Sequence, residues 1–178
     1  MATLDVLSAD WHAVRVAGSR TDRQNDPVSG EALLVGFGET RYMRRPPTET
    51  TTPGLLARAA RDALADAGLE PADVDGLGVA SFSLAPDRAI DLSVRLGLTC
   101  SWLMDAGTGG ASTLDMLQHA RRAVEAGDAQ TVVLVAGDHL DRQSFVELVD
   151  GYNVATREHL APIPSGGPNA MFALLTND

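Results

Sequence analysis

The amino-acid sequence predicts an α/β fold: layered, with a mostly parallel central sheet. Three observations carry that expectation. Thr131-Val132-Val133-Leu134-Val135-Ala136-Gly137 is an unbroken, β-branched apolar run, the pattern of a strand buried on both faces. Two long stretches with helical spacing end in Ala67-Gly68 and Ala126-Gly127, and an apolar strand follows each within a few residues, the rhythm of βαβ units. Of 178 residues 44% are hydrophobic but only 4% aromatic, so the core is built from Leu, Val and Ala, which let helices pack closely on a sheet.

Taken in order, the chain opens on a segment unlike the rest. Ser19–Gly30 is polar, charged and turn-rich, so residues 1–30 are expected to form a polar, partly disordered N-terminal arm, with the domain spanning 31–178. Ala32–Gly36 reads as a short buried strand. A loop with Arg41, Arg44, Arg45 and Pro46-Pro47 leads to a helix with Thr52 as N-cap and Pro53 at its first position. Leu56, Ala59, Ala60, Ala63, Leu64 and Ala67 form its buried face, and Gly68 closes it. Asp75–Ser81 is a second strand, and Asp87 caps a short helix that runs to Leu96 and stops at Gly97. Cys100–Met104 is a third strand, with Cys100 a small buried hydrophobe. Thr113–Ala126 is the second long helix, with Leu114, Leu117, Ala120 and Val124 on one face, before the central strand at Thr131. After the Pro/Gly loop Pro162–Pro168, Ala170–Thr176 is strand-like, and its position at the chain end is read as a truncation.

Composition excludes several functions. The net charge is -10, from 24 acidic and 14 basic residues, and every basic residue is arginine. An acidic surface does not neutralise a phosphate backbone, so nucleic acid is not an expected partner. Without lysine there is neither Schiff-base chemistry nor a phosphate-binding P-loop lysine. Cys100 is the single cysteine, which rules out an intrachain disulfide and a cysteine-rich metal site. His12, His119, His139 and His159 are scattered without metal-ligand spacing, so no metal is expected. No basic and apolar leader opens the chain and no apolar run approaches about 20 residues, so a cytoplasmic protein without a membrane span is expected.

The segment with site character is the Gly/Thr/Ser turn between the third strand and the second long helix. Gly107, Gly109 and Gly110 let a ligand approach the backbone, and free N–H groups at a helix start attract an anion or oxyanion. Thr108 and Ser112 add hydroxyls. The spacing matches neither a P-loop nor a full dinucleotide fingerprint, and taken alone it favours a tight turn with Ser112 as N-cap. Other polar candidates are Asp138-His139 and Asp141 after the central strand, the Arg41, Arg44 and Arg45 loop, Tyr42 and Tyr152.

The ordered series LLVGFGETRYMRRP, TTPGLLARAARDALADAGLEPADVDGLGVAS and GTGGASTLDMLQHARRAVEAGDAQTVVLVAGD resembles the N-terminal half of a thiolase-superfamily protein, in the branch of sterol-carrier and lipid-transfer thiolases. The resemblance covers roughly Glu31–Thr176. It implies the N-terminal βαβαβαββ half of a layered thiolase-like fold, action on coenzyme A thioesters without a further cofactor, and a homodimer or a heteromer with a second subunit. An acyl-CoA or lipid is the implied ligand, and Gly107, Thr108, Gly109, Gly110 and Ser112 are the residues expected to meet it.

In active members of that superfamily a nucleophilic cysteine sits at the start of the helix matching Thr113–Ala126. Alignment on the helix places that position on Gly110, and alignment on the preceding strand places it on Thr108. Neither is cysteine, and Ser112 is only a weak candidate because no base adjoins it. The activating histidine and second cysteine belong to the other half of the fold. An acyltransferase by family, inactive in thiolysis as this chain alone, is one expectation. A non-catalytic acyl-CoA or lipid-binding or scaffold partner of a thiolase-like or aldolase-like complex is the other.

Overall fold

The computed structural model describes residues 12–17, 32–43 and 45–151, together with Ala173 and Thr176. Two units divide the chain, Met1–His139 and Leu140–Asp178.

The first unit is a five-stranded sheet with helices on both faces. Its elements are β1 (His12–Ala17), β2 (Leu33–Gly38), α1 (Thr52–Asp66), β3 (Gly76–Ala80), α2 (Arg88–Leu96), β4 (Trp102–Ala106), α3 (Ser112–Ala126) and β5 (Thr131–Ala136). The strand order is β2-β1-β5-β3-β4. β3 runs parallel to both β4 and β5, and β1 pairs antiparallel with β5 and β2.

β5 lies at the centre, as its composition demands. Val133 and Val135 point to one face and Val132 and Leu134 to the other, all at most 2% exposed. On the first face they join Leu77 and Val79 of β3 beneath α1 and α2. On the second they meet Met116, Ala120 and Val124 of α3. Burying each such side chain contributes about 1.5–3 kcal/mol, so β5 ties the two layers into one core. The α3 face of β3 is glycine: a Cβ at Gly78 would lie 2.7 Å from Leu134 Cδ2 and 3.2 Å from Met116 Sδ. That lets α3 sit close to the sheet.

Most expected elements appear, and the differences have local causes. The segment read as an N-terminal arm contributes β1, inserted between β2 and β5. Backbone pairing, which needs no hydrophobic pattern, recruits it. β2 was expected to be buried, yet Leu33, Leu34, Val35 and Phe37 are exposed. It is an edge strand, and α1 covers it over Gly36 and Gly38, whose Cβ positions would collide with the backbone of Ala63 and Ala59. The larger residues are left outside. The third strand begins at Trp102, not at Cys100, which is half-buried against the α1/α2 cluster.

Helix ends divide in the same manner. Gly68, Gly97 and Gly127 close the helices with φ of 69°, 69° and 82°, left-handed values that favour glycine. At the N-termini, Thr51 rather than Thr52 caps α1, its Oγ1 accepting from Gly54 N at 3.3 Å. Asp87 makes no cap bond for α2. Instead Asp105, on β4, accepts from Ala89 N at 2.7 Å.

The second unit contains α4 (Arg142–Gly151), whose start is capped by Asp141: its Oδ1 accepts from Ser144 N at 2.7 Å. The strand expected over Ala170–Thr176 falls mostly outside the described residues. Within it Ala173 is helical, and Thr176 Oγ1 donates to Ala173 O at 3.1 Å, a local pairing that a strand does not make.

Candidate functional site

Three connections leave the C-terminal ends of the parallel strands, where α/β folds place their ligands. The register sets Ala80 of β3 opposite Ala106 of β4 and Ala136 of β5. The chain therefore exits side by side as Gly107, Ser81 and Gly137.

After β4, four of the five residues singled out from sequence (Gly107, Thr108, Gly109 and Gly110) fall in the connection to α3, and the fifth, Ser112, is the first residue of that helix. A 3-10 turn, Gly109–Ala111, runs directly into the helix. Its entry is Gly109, whose φ of 66° suits glycine. Ser112 is not the N-cap. Ala111 occupies that position with helical φ and ψ and makes no side-chain cap bond. Ser112 is 3% exposed, and its Oγ lies 3.2 Å from Thr108 Oγ1. Because the 3-10 turn extends the helix backwards, the helix start with its unpaired N–H groups moves from Ser112 to the glycines. Gly107, Thr108 and Gly110 are exposed, and a Cβ at Gly107 or Gly110 would meet nothing within 4 Å. The turn has room for a side chain at Gly110 and carries none.

After β3 the arrangement is the reverse. The Asp138 carboxylate, just past β5, accepts from Ser81 Oγ at 2.6 Å, Ser83 Oγ at 2.7 Å, Ser83 N at 2.7 Å and Phe82 N at 3.0 Å. Thr52 Oγ1 lies 2.8 Å from Ser83 Oγ and accepts from His139 N at 2.9 Å. Arg88 Nε donates to Ser81 O. Asp138 was noted from its place after the central strand. Its serine partners, more than fifty residues earlier, left no signal in the sequence.

The remaining candidates separate. His119 lies 3.7 Å from Asp115 on the exposed side of α3. Arg41, Tyr42 and Arg45 are exposed in the loop after β2. Arg44, Tyr152, His159 and the histidine side chain of β1 lie outside the described residues. At the far end of the sheet, burial first and the Asp75 carboxylate second push the Cys100 thiol above its ordinary pKa. That is the opposite of what a nucleophile needs. Among the described residues, no group of three or more His, Cys, Asp or Glu could hold a metal ion, and no helix is long and apolar enough to cross a membrane.

Comparison with known proteins places this geometry. No protein-family model matches the chain. It is 35% identical over 106 residues to the 17-hydroxy-3-oxo-4-pregnene-20-carboxyl-CoA lyase of Mycobacterium tuberculosis, covering 60% of this chain and 27% of the lyase. It is 36% identical over 109 residues to a β-ketoacyl-(acyl-carrier-protein) synthase III of Cereibacter sphaeroides, covering 60% of this chain and 32% of the synthase. A steroid side-chain-cleaving aldolase of Thermomonospora curvata shares 32% identity over 107 residues, covering 60% of this chain and 26% of the aldolase. Among solved structures, the Ltp2-ChsH2(DUF35) aldolase superposes with a TM-score of 0.56 at 26% identity, over 71% of this chain and 32% of that one. OleA of Xanthomonas campestris shares the fold, with a TM-score of 0.52 at 19% identity over 87% of this chain and 52% of that one. The chain thus has thiolase-superfamily homologues and a thiolase-like α/β fold. It spans about a third or less of the length of these sequence relatives, a partial coverage that fits an N-terminal half.

Proposed function

We propose that this thiolase-like chain belongs to an acyl-CoA-processing protein that handles its thioester without forming an acyl-cysteine. The supporting observation is the β4–α3 turn. It offers open backbone at Gly107–Gly110 and the hydroxyls of Thr108 and Ser112, but no thiol. Acyl transfer through the enzyme needs a nucleophile there. Carbon–carbon cleavage of the retro-aldol type does not. In that reaction the thioester stays intact, a base removes the hydroxyl proton, the C–C bond breaks, and its electron pair becomes an enolate on the thioester carbonyl. What the turn supplies for such a step is N–H donors at the start of α3, directed at developing negative charge. The lyase and aldolase names among the relatives agree with this choice. The base is not among the turn residues. In this reading it comes from another part of the protein or from a second subunit.

A second reading is favoured by one observation: the aldolase with the superposing fold is described as a two-component assembly. Here the chain is a non-catalytic partner that holds an acyl-CoA or lipid, as a homodimer or within a heteromer, in the cytoplasm.

Calorimetric titration with acetyl-CoA and decanoyl-CoA, together with mass spectrometry of acid-quenched mixtures, tests both. Saturable binding with no covalent adduct is expected, as is no thiolysis of acetoacetyl-CoA. An acyl adduct on Thr108 or Ser112 would overturn the non-covalent assignment, and absence of binding to either thioester would remove both readings. Light scattering on the same samples separates a monomer from the proposed oligomer.

A further inference from the structure

We infer that Asp138 is a positioning residue for this site: its carboxylate fixes the Ser81–Leu84 segment as the wall between the β4–α3 turn and the end of β5. The inference rests on the reading of the turn as an acyl-CoA site.

The sheet itself stops one residue too early to do this. The last rung is Gly137 N donating to Ala80 O at 2.8 Å. Beyond it, Ser81 leaves the sheet between Gly107 on one side and Gly137 on the other, so neither neighbouring strand end supplies a side chain to support it. Asp138 does so from just beyond Gly137, past the end of the neighbouring β5. Two backbone amides, Phe82 N and Ser83 N, and two hydroxyls, Ser81 Oγ and Ser83 Oγ, converge on its two oxygens. Ser81 Oγ in turn accepts from Ser83 N and Leu84 N, both at 3.2 Å, which closes the loop on itself.

Proton directions follow from this arrangement. Ser83 spends its hydroxyl proton on Asp138, so its oxygen accepts from Thr52 Oγ1. Thr52 spends its own proton there and accepts from His139 N. The series runs from His139 N–H through Thr52 and Ser83 and ends on the carboxylate, where a group with acceptors only is required. A carboxamide cannot replace it: one of its two positions would present N–H to the converging donors. One anion therefore joins the β3 exit to the segment after β5 directly and to the start of α1 through Ser83, beside a turn that has no such support among the described residues.

Hydrogen exchange and acetyl-CoA calorimetry on the full chain test the assignment. Asp138→Asn is expected to accelerate exchange at the Phe82 and Ser83 amides by about tenfold or more and to weaken acetyl-CoA binding about tenfold. Amides of β3 and β5 should keep their protection, which separates loop release from loss of the fold. Asp138→Glu, which retains the charge and both acceptor oxygens, should recover part of the affinity. Thr52→Val, which cuts the series but leaves both amide bonds on Asp138, should weaken binding only about twofold to fivefold. If loop exchange rises in Asp138→Asn while affinity stays unchanged, the carboxylate is a structural clamp only and the positioning role falls. Unchanged loop exchange would overturn the clamp itself. Should the unsubstituted chain bind no acetyl-CoA, the site reading fails and takes the positioning role with it, while the ligand-free exchange data still report on the clamp.

Discussion

Two connections leave adjacent parallel strands at the same edge of the sheet, and they are built on opposite plans. The one after β3 is bound by the four hydrogen bonds to Asp138, by Thr52 on Ser83 and by Arg88 on the carbonyl of Ser81. The one after β4 has, among the described residues, a single hydroxyl contact, Thr108 to Ser112, and two glycines whose side-chain space is empty. A carboxylate beside Ser81 and Ser83 makes a wall. Glycines at the start of a helix make an opening. The proposed acyl-CoA site joins the two plans, a fixed wall beside an accessible helix start.

The sharpest way to break the contrast is to remove the wall. Asp138→Ala leaves two hydroxyls and two amides without their acceptor, a loss on the order of 2–3 kcal/mol given the usual worth of hydrogen bonds to a charged group. Thermal or urea unfolding should register it, and an unchanged midpoint would mean that water replaces the carboxylate. Next in size is Gly109→Ala in the open turn. At φ of 66° a Cβ costs about 1 kcal/mol by contact with its own backbone. Equal stability of this variant would show that the turn relaxes into another conformation.

Gly110→Cys, one residue further, should change stability by no more than about 0.5 kcal/mol, since nothing stands within 4 Å of the new Cβ. It also sharpens the comparison chemically. At about pH 7.5 the introduced thiol should be alkylated by iodoacetamide about tenfold faster than Cys100, because a helix start favours thiolate while burial and Asp75 disfavour it. Equal rates would mean that the helix start does not reach position 110.

The smallest effect concerns Cys100 itself. Its raised pKa favours the neutral thiol in the folded state. The stability this brings is complete below the unfolded thiol value of about 8.5 and is lost as pH rises through the folded value. Relative to Cys100→Ser, the native chain should therefore lose a small amount of stability in the alkaline range and none at neutral pH. The opposite slope in paired unfolding curves would contradict the assigned direction.

Much of this architecture was legible from local pattern. The β-branched run Thr131–Ala136 announced a strand buried on both faces, and it lies at the centre of the sheet with side chains in both cores. Gly107–Ser112 was recognisable as the single glycine-rich join between a strand and a helix. The failures share a cause. β2 reads as a buried strand by composition, but whether a strand is buried depends on which neighbours cover it, and α1 covers only the glycines. β1 is too short, with only Val14 and Val16 alternating about Arg15, to stand out from the polar segment that follows, and backbone pairing with β2 and β5 places it in the sheet.

Helix ends show most plainly what each level decided. The sequence by itself determined where α1, α2 and α3 stop, because a left-handed residue is a property of one position and Gly68, Gly97 and Gly127 meet it without help. Where α2 begins was a tertiary matter, whereas Thr51 caps α1 from its own turn. An N-terminal amide donates to any oxygen that reaches it, so Asp105 from β4 serves α2 in place of Asp87. The same holds for Asp138. The sequence placed a carboxylate after the central strand, and only the parallel register of β3 beside β5 brought Ser81, Phe82 and Ser83 to it.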